Sequence, residues 1–170
     1  MKTCGIITEY NPFHQGHIYH IKKTKELTQC DCLIAIVSNH FTQRGLFSLL
    51  TMEDKTKLAL EAGCNLVIEL PPCYAAQSAD YFAKYAVESL SQLHIDQICF
   101  GSETNNISTL KEYSKQMEST QVVPSLSMNQ NLYTKNIRPN DILGIQYIKQ
   151  CEKYGITPCT IARNDSFKSA

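Results

Sequence analysis

The chain has 170 residues, of which 43% are hydrophobic and 19% are charged, so it can bury one ordinary globular core. Sixteen Lys and Arg residues balance sixteen Asp and Glu residues, and this zero net charge excludes a polybasic mode of nucleic-acid binding for the chain as a whole. No apolar run reaches the ~18–20 residues of a membrane span and the first residues lack a signal-peptide core, so we expect a cytoplasmic protein with no membrane partner.

Five short apolar runs alternate with longer amphipathic segments, which predicts repeated βα units. The predicted strands are 4–8, 32–38, 66–70, 97–100 and 158–162. The predicted helices begin near residue 18, cover 52–62 behind the N-cap Thr51, cover 79–93, and cover 143–154 before the stop at Gly155. Residues 119–139 are polar and aperiodic, which predicts an irregular loop.

This order of elements predicts an α/β fold with a five-stranded, mainly parallel sheet and helices on both faces. Parallel neighbours need crossover connections, and the helical segments provide them. In such sheets ligands bind beyond the C-terminal ends of the strands. The functional residues are therefore expected in the segments that follow the predicted strands.

The segment after the first predicted strand contains the clearest chemical motif. It reads EYNPFHQGH over residues 9–17 and leads into a helix. The free N–H groups of a helix N-terminus favour an anion, and imidazolium donors at His14 and His17 would contact phosphate oxygens. Gly16 lacks a Cβ, so a phosphate or a flat base can lie against its backbone. An anionic nucleophile would need no general base at such a site, only alignment and charge stabilisation.

Two other interpretations of these histidines stay open. His14, His17 and His20 recur every three residues, which on a helix could form a zinc-binding face, or they could be idle capping and surface residues. Zinc sites usually add a distant fourth ligand, and His14 should precede the helix, so we expect no metal site. The eight cysteines contain no CxxC pair and are interpreted as reduced packing residues.

Several sequence strings carry a family resemblance. Residues 11–17, NPFHQGH, resemble the H-x-G-H signature of the nucleotidyltransferase superfamily, whose members react at the α-phosphate of ATP. GIITEYNPFHQGHIYH at 5–20, QRG at 43–45, LVIELP at 66–71, CFGSE at 99–103 and PNDILGIQYIK at 139–149 together resemble the bacterial tRNA(Met) cytidine acetate ligases. The resemblance implies a Rossmann-like nucleotidyltransferase domain over residues 1–170, with strand order 3-2-1-4-5.

The resemblance also implies which residues bind ATP. The proposed cradle comprises Ile7, Thr8, Glu9, Tyr10, Asn11, Pro12, Phe13, His14, Gln15, Gly16, His17, Ile18, Tyr19 and His20. His14 and His17 would be the catalytic pair on the phosphates. Gly101 would let the nucleotide pass close to the fourth strand, and Asn140 would hydrogen-bond to it. Arg163 would hold phosphate with its guanidinium fork.

The implied activity joins acetate to RNA in two steps. Acetate and ATP, with Mg²⁺, would form acetyl-adenylate and pyrophosphate, and the acetyl group would pass to N4 of the wobble cytidine of elongator tRNA(Met). A second family signature, a Ser-Ala-Thr-x-Ile-Arg-like clamp on the triphosphate, would begin near Ser169, so we expect tRNA acetylation to require residues beyond 170. The clearest basic cluster for RNA is Lys22, Lys23 and Lys25, but such a cluster is more often the solvated face of a helix.

Two further points qualify the implied activity. The loop at 38–48 reads SNHFTQRGLFS, whereas the family reads S-G-x-F-x-Q-R-G-E-P-A, so this chain lacks the Glu-Pro pair. The alternatives are a truncated nucleotide-binding module that no longer turns over, or an adenylyltransferase for a mononucleotide or a pantetheine phosphate. The latter would explain H-x-G-H but not LVIELP or PNDILG.

Overall fold

A computed structural model describes residues 1–118 and 137–163 of the chain. The elements, in chain order, are β1 (Thr3–Thr8), α1 (Gln15–Thr28), β2 (Cys32–Ser38), α2 (Met52–Ala62), β3 (Leu66–Leu70), α3 (Pro72–Ala75), α4 (Ala79–Ser91), β4 (Gln97–Ser102), α5 (Ile107–Glu118), α6 (Pro139–Tyr154) and β5 (Thr157–Ala162). The strands form one parallel sheet in the order β3-β2-β1-β4-β5, which confirms the predicted order and places β1 at the centre.

The sheet separates two apolar clusters, because successive side chains of a strand point to opposite faces. Leu33, Ala35 and Val37 of β2 lie in one cluster with apolar residues of α1 and α2. Ile34 and Ile36 lie in the other cluster with apolar residues of α4, α5 and α6. The prediction of helices on both faces is therefore confirmed, and the Rossmann-like arrangement follows.

Helix α6 approaches the sheet closely enough to determine one residue type. A Cβ atom added to Gly144 would lie 2.6 Å from Cε2 of Phe100, a residue of β4. Glycine at this position lets the helix axis sit close to the strand. The first turn of α6 is thereby held over the C-terminal end of β4.

The structure differs from the predicted elements at several boundaries. Helices α3 and α5 are not predicted, and α4 ends at Ser91 rather than at residue 93. The predicted irregular loop at 119–139 extends too far, because Pro139 already occupies the first helical position of α6, where its missing N–H costs nothing. Residues 119–136 of that loop lie outside the described residues. No helix in the described ranges combines the length and hydropathy that a membrane span requires.

Candidate functional site

The C-terminal ends of β1, β4 and β5 bring the predicted site residues to one edge of the sheet. His14 follows β1, Gly101 is the second-to-last residue of β4, and Arg163 follows β5 directly. Asn140 lies in the first turn of α6, which covers this edge. The Nη1 atom of Arg163 donates to Oδ1 of Asn140 at 2.8 Å, and Nδ2 of Asn140 donates to Oε1 of Glu103. Two of the predicted residues, Asn140 and Arg163, are thus joined to Glu103 in one polar crevice.

The segment from residue 7 to residue 20 crosses three local environments. Ile7 and Thr8 end β1, residues 9–14 form the turn, and residues 15–20, which include Gln15, Ile18, Tyr19 and His20, form the first turns of α1. Within the turn, the Asn11–Pro12 peptide bond is cis and Tyr10 has a φ of 49°. Thr8 and Tyr10 are buried, whereas Pro12, His14 and Gln15 are exposed. The exposed members are accessible to a ligand, and the buried members support them.

The two histidines of the motif cap α1 reciprocally. Nδ1 of His14 accepts from the backbone N–H of Gly16 at 3.0 Å, and Nδ1 of His17 accepts from the backbone N–H of His14 at 3.2 Å. Their rings stack with centroids 3.9 Å apart. A neutral imidazole that accepts at Nδ1 carries its proton at Nε2. The cap therefore leaves two adjacent Nε2–H donors for a ligand.

The surroundings of His17 oppose a positive charge. The Tyr10 and Phe13 rings lie 4.9 and 5.5 Å from the His17 ring, centroid to centroid. Burial lowers the pKa of His17 from its usual 6.5 to about 3, with further lowering by His14, His20 and Arg163. Burial also lowers the pKa of His14, and the Arg163 guanidinium adds to that effect. The prediction of imidazolium donors is therefore wrong for the free protein, because both rings are neutral at pH 7.

The low pKa of His17 makes protein stability depend on pH. Between pH 6.5 and about 3 the unfolded chain protonates this residue and the folded chain does not, so the free energy of unfolding falls as the pH falls. From pH 6.5 to 5, above most carboxylate titration, we expect a loss of about 1–2 kcal/mol from this residue. Urea unfolding of the wild type and of His17→Asn, which cannot titrate, measures it. Parallel stability curves for the two proteins would contradict the assignment.

Gly101 makes room for Arg163. A Cβ atom added to Gly101 would lie 3.1 Å from Cγ and 3.6 Å from Cδ of Arg163. The aliphatic part of the arginine side chain therefore lies against the bare backbone of β4. A side chain at position 101 would require the Arg163 side chain to shift by a few tenths of an ångström, so Gly101 helps to set the position of Arg163 in the crevice. The direct approach of a nucleotide to Gly101 stays a prediction.

A buried carboxylate that the sequence analysis did not select supports this arrangement. Asp141, with 2% of its surface exposed, accepts hydrogen bonds from Oγ of Ser102, from Oγ1 of Thr104 at 2.6 Å and from the Thr104 backbone N–H at 3.2 Å. It ties the first turn of α6 to the segment after β4. The available sequence signal was an aspartate in the first turn of a helix behind proline, which ordinarily indicates only capping.

Residues 39–50, here called the β2–α2 loop, are hydrogen-bonded to the turn after β1. The Glu9 carboxylate accepts from the backbone N–H of Gln43 at 2.6 Å. The Asn11 side chain donates to the carbonyl of Phe47 at 3.1 Å and accepts from the N–H of Leu49 at 2.6 Å. The loop is thus fastened to the turn after β1 although it lacks the Glu-Pro pair. Glu9 and Asn11 are predicted to bind ATP, but in the structure these side-chain atoms form hydrogen bonds with the loop.

A buried lysine secures the beginning of the same loop. Lys55 of α2 is 1% exposed, and its Nζ donates to the carbonyls of Ser38 at 2.7 Å and Asn39 at 3.1 Å. Burial lowers the Lys55 pKa, and the negative charge of Glu9 partly opposes that shift. Sequence reasoning missed Lys55 because a lysine on an amphipathic helix ordinarily indicates the solvent face.

The residues named in the zinc and basic-cluster interpretations have the following surroundings in the structure. Across residues 1–118 and 137–163, no three or more His, Cys, Asp or Glu side chains are grouped so as to hold a metal ion. All eight cysteines are free thiols. Of the predicted basic cluster, Lys23 pairs with Glu26 at 2.7 Å and Lys25 donates to the Gly63 carbonyl at 2.7 Å. Two of its three ammonium groups are therefore used within the chain.

Comparison with known proteins gives concordant matches. The model of the HIGH Nucleotidyl Transferase family matches residues 1–169. Proteins named tRNA(Met) cytidine acetate ligase are similar: one from Geobacillus sp. is 40% identical over 96% of this chain and 46% of its own length, and one from Clostridium novyi is 41% identical over 98% and 48%. The crystal structure of Thermotoga maritima TmcAL bound with alpha-thio ATP superposes with a TM-score of 0.86 at 31% identity, covering 98% of this chain and 47% of that one. The chain spans about half the length of these relatives.

Proposed function

Because the chain belongs to the HIGH nucleotidyltransferase family, we propose that it binds ATP in the crevice above β1, β4 and β5 and directs acetate to the α-phosphate. The observation that carries this proposal is the reciprocal cap of His14 and His17, which leaves two adjacent Nε2–H donors at a helix N-terminus. Such donors suit phosphate oxygens. The alpha-thio ATP bound to the similar Thermotoga maritima protein supports the same ligand.

The proposed first step needs positioning rather than proton transfer. A carboxylate oxygen of acetate attacks the α-phosphorus, the bond to the bridging oxygen breaks, and pyrophosphate leaves with its electron pair. Acetate is already ionised at pH 7, so no base has to remove a proton. This agrees with neutral histidines, which donate hydrogen bonds to developing charge, while Arg163 supplies the positive charge.

Mg²⁺ would enter with the phosphates of ATP. The described part of the chain offers no cluster of carboxylates arranged for a metal ion. Mg²⁺ commonly keeps several waters and binds through substrate phosphates with few protein ligands. Its contribution when bound would be to neutralise charge on the pyrophosphate leaving group.

We place the second step, acetylation of N4 of the wobble cytidine in elongator tRNA(Met), in a protein of the relatives' full length. The names of the relatives support this acceptor, and the present chain spans about half of their length. For the 170-residue chain we propose ATP binding with weak or absent turnover. A nucleotide-binding module without turnover is the remaining alternative for the isolated chain.

The test is acetate-dependent exchange of labelled pyrophosphate into ATP, with ATP binding measured by calorimetry on the same preparation. We expect the 170-residue chain to bind ATP and to show weak or absent acetate-dependent exchange. When the chain is extended to the relatives' length, acetate should stimulate a robust exchange. The control replaces acetate with nicotinamide mononucleotide or pantetheine phosphate. Exchange that depends on either of these, or failure to bind ATP, would contradict the proposal.

A further inference from the structure

Three tyrosines form a stacked group on α3 and α4, here called the tyrosine cluster (Tyr74, Tyr81 and Tyr85). The Tyr74 and Tyr85 rings lie 4.2 Å apart at 27°, and the Tyr81 and Tyr85 rings lie 6.3 Å apart at 25°, centroid to centroid. Tyr74 is 39% exposed and Tyr81 is 49% exposed. The rings therefore form a near-parallel set whose outer members are open to solvent.

A lysine accompanies the rings. Nζ of Lys84 lies 5.5 Å from the centroid of Tyr85 and 6.0 Å from that of Tyr81. Asp80 lies in the first turn of α4, where the helix dipole stabilises its negative charge, and its carboxylate accepts a hydrogen bond from Oγ of Ser78. The cluster thus offers aromatic faces together with a cation, the combination that suits a nucleobase and its phosphate.

The tyrosine cluster lies on the same edge of the sheet as the candidate site. Helix α3 starts two residues after β3, at the C-terminal end of a parallel strand. Gln43 connects the two regions, because its backbone N–H donates to Glu9 at 2.6 Å and its Nε2 donates to the Gln77 carbonyl at 2.6 Å. One residue therefore spans the gap between the turn after β1 and the segment that joins α3 to α4.

We propose that the tyrosine cluster and Lys84 bind unpaired bases of a single-stranded RNA loop beside the candidate site. This inference rests on the proposed function, in which an RNA base is the acetyl acceptor. Single-stranded RNA is recognised chiefly by stacking of splayed bases on aromatic side chains. Two observations favour RNA over a protein partner: the rings already lie near parallel with a cation beside them, and Gln43 links this region to the turn after β1, where the candidate site lies.

The test measures binding of a labelled RNA hairpin with an unpaired cytidine in its loop by fluorescence anisotropy. We expect Tyr74→Leu and Tyr81→Leu each to weaken binding about tenfold, because one stacking partner is lost, and Tyr81→Phe to bind as the wild type does. Lys84→Gln should reduce the slope of log affinity against log salt by about 0.7. Because the chain has no Trp, stacking should also quench its intrinsic tyrosine emission.

The matched control is a tyrosine–lysine pair at the other edge of the sheet. Nζ of Lys153 lies 4.9 Å from the ring of Tyr154, just before the start of β5. Tyr154→Leu should leave RNA affinity unchanged, and a fully paired RNA duplex should not compete.

Three results would overturn the proposal. They are wild-type affinity in both leucine variants, no RNA binding by the wild-type chain at low salt, or a wild-type dimer that Tyr81→Leu dissociates without changing RNA affinity. ATP binding is measured on every variant. If the wild-type chain failed to bind ATP, the result would count against the proposed function. If ATP binding were intact and the leucine variants kept wild-type RNA affinity, the result would count against the tyrosine cluster alone.

Discussion

Replacing His17 with Asn is expected to weaken ATP binding roughly 10–150-fold while the chain stays folded, because a hydrogen bond to a charged group contributes about 1.5–3 kcal/mol. The amide oxygen of Asn can occupy the position of Nδ1 and accept from the His14 backbone N–H, as His17 does at 3.2 Å. It cannot reproduce the Nε2–H donor. Isothermal calorimetry with ATP measures the affinity, and thermal unfolding without ligand confirms that the cap survives.

The complementary variant is His17→Gln, whose amide nitrogen reaches the position of Nε2 but leaves the cap without its acceptor. We expect it to bind ATP more tightly than His17→Asn and to unfold at a lower temperature. The two variants separate the phosphate contact from the helix cap. Equal ATP affinity in His17→Asn and the wild type would show that His17 only caps α1, as in the capping interpretation of the motif.

The five strands could be predicted because five short apolar runs are flanked by more polar segments. The predicted strands 32–38 and 66–70 match β2 and β3, and the other three differ by one or two residues at an end. Helix α5 was missed because, among residues 107–116, whose burial is described, Leu110 is the only buried apolar residue, so the sequence looks like a polar loop. Helix α3 was missed because Pro71-Pro72 indicates a turn, although proline is favoured in a first helical turn.

From residue spacing alone, without the family resemblance, the contacts of the candidate site were predictable only where they are local. The cap joins His14 to residues two and three positions away, and such spacing is visible in the sequence. Arg163 and Asn140 are 23 residues apart, and Asp141 and Ser102 are 39 apart, so their pairing depends on the order of the strands. For the same reason sequence reasoning placed neither Asp141 nor Lys55, since both are buried by distant segments.

Asp141→Ala is expected to lower the free energy of unfolding by about 2–4 kcal/mol, because one buried donor and two partly buried donors lose their acceptor. These donors are the hydroxyls of Ser102 and Thr104 and the Thr104 backbone N–H. The matched control is Asp80→Ala, since Asp80 is also an acidic residue in the first turn of a helix but is exposed. Both variants lose the favourable contact with a helix dipole, so their difference isolates the buried carboxylate.

The same substitution tests how the crevice is held together. Asn140, beside Asp141 in the chain, accepts from Arg163 and donates to Glu103, so loosening the first turn of α6 should displace Arg163 from the site. We therefore expect Asp141→Ala, measured well below its unfolding temperature, to bind ATP more weakly than the wild type, whereas Asp80→Ala should bind it equally well. If Asp141→Ala instead matched Asp80→Ala in both stability and ATP affinity, the carboxylate would act only on its own helix end, and the polar crevice would not depend on it.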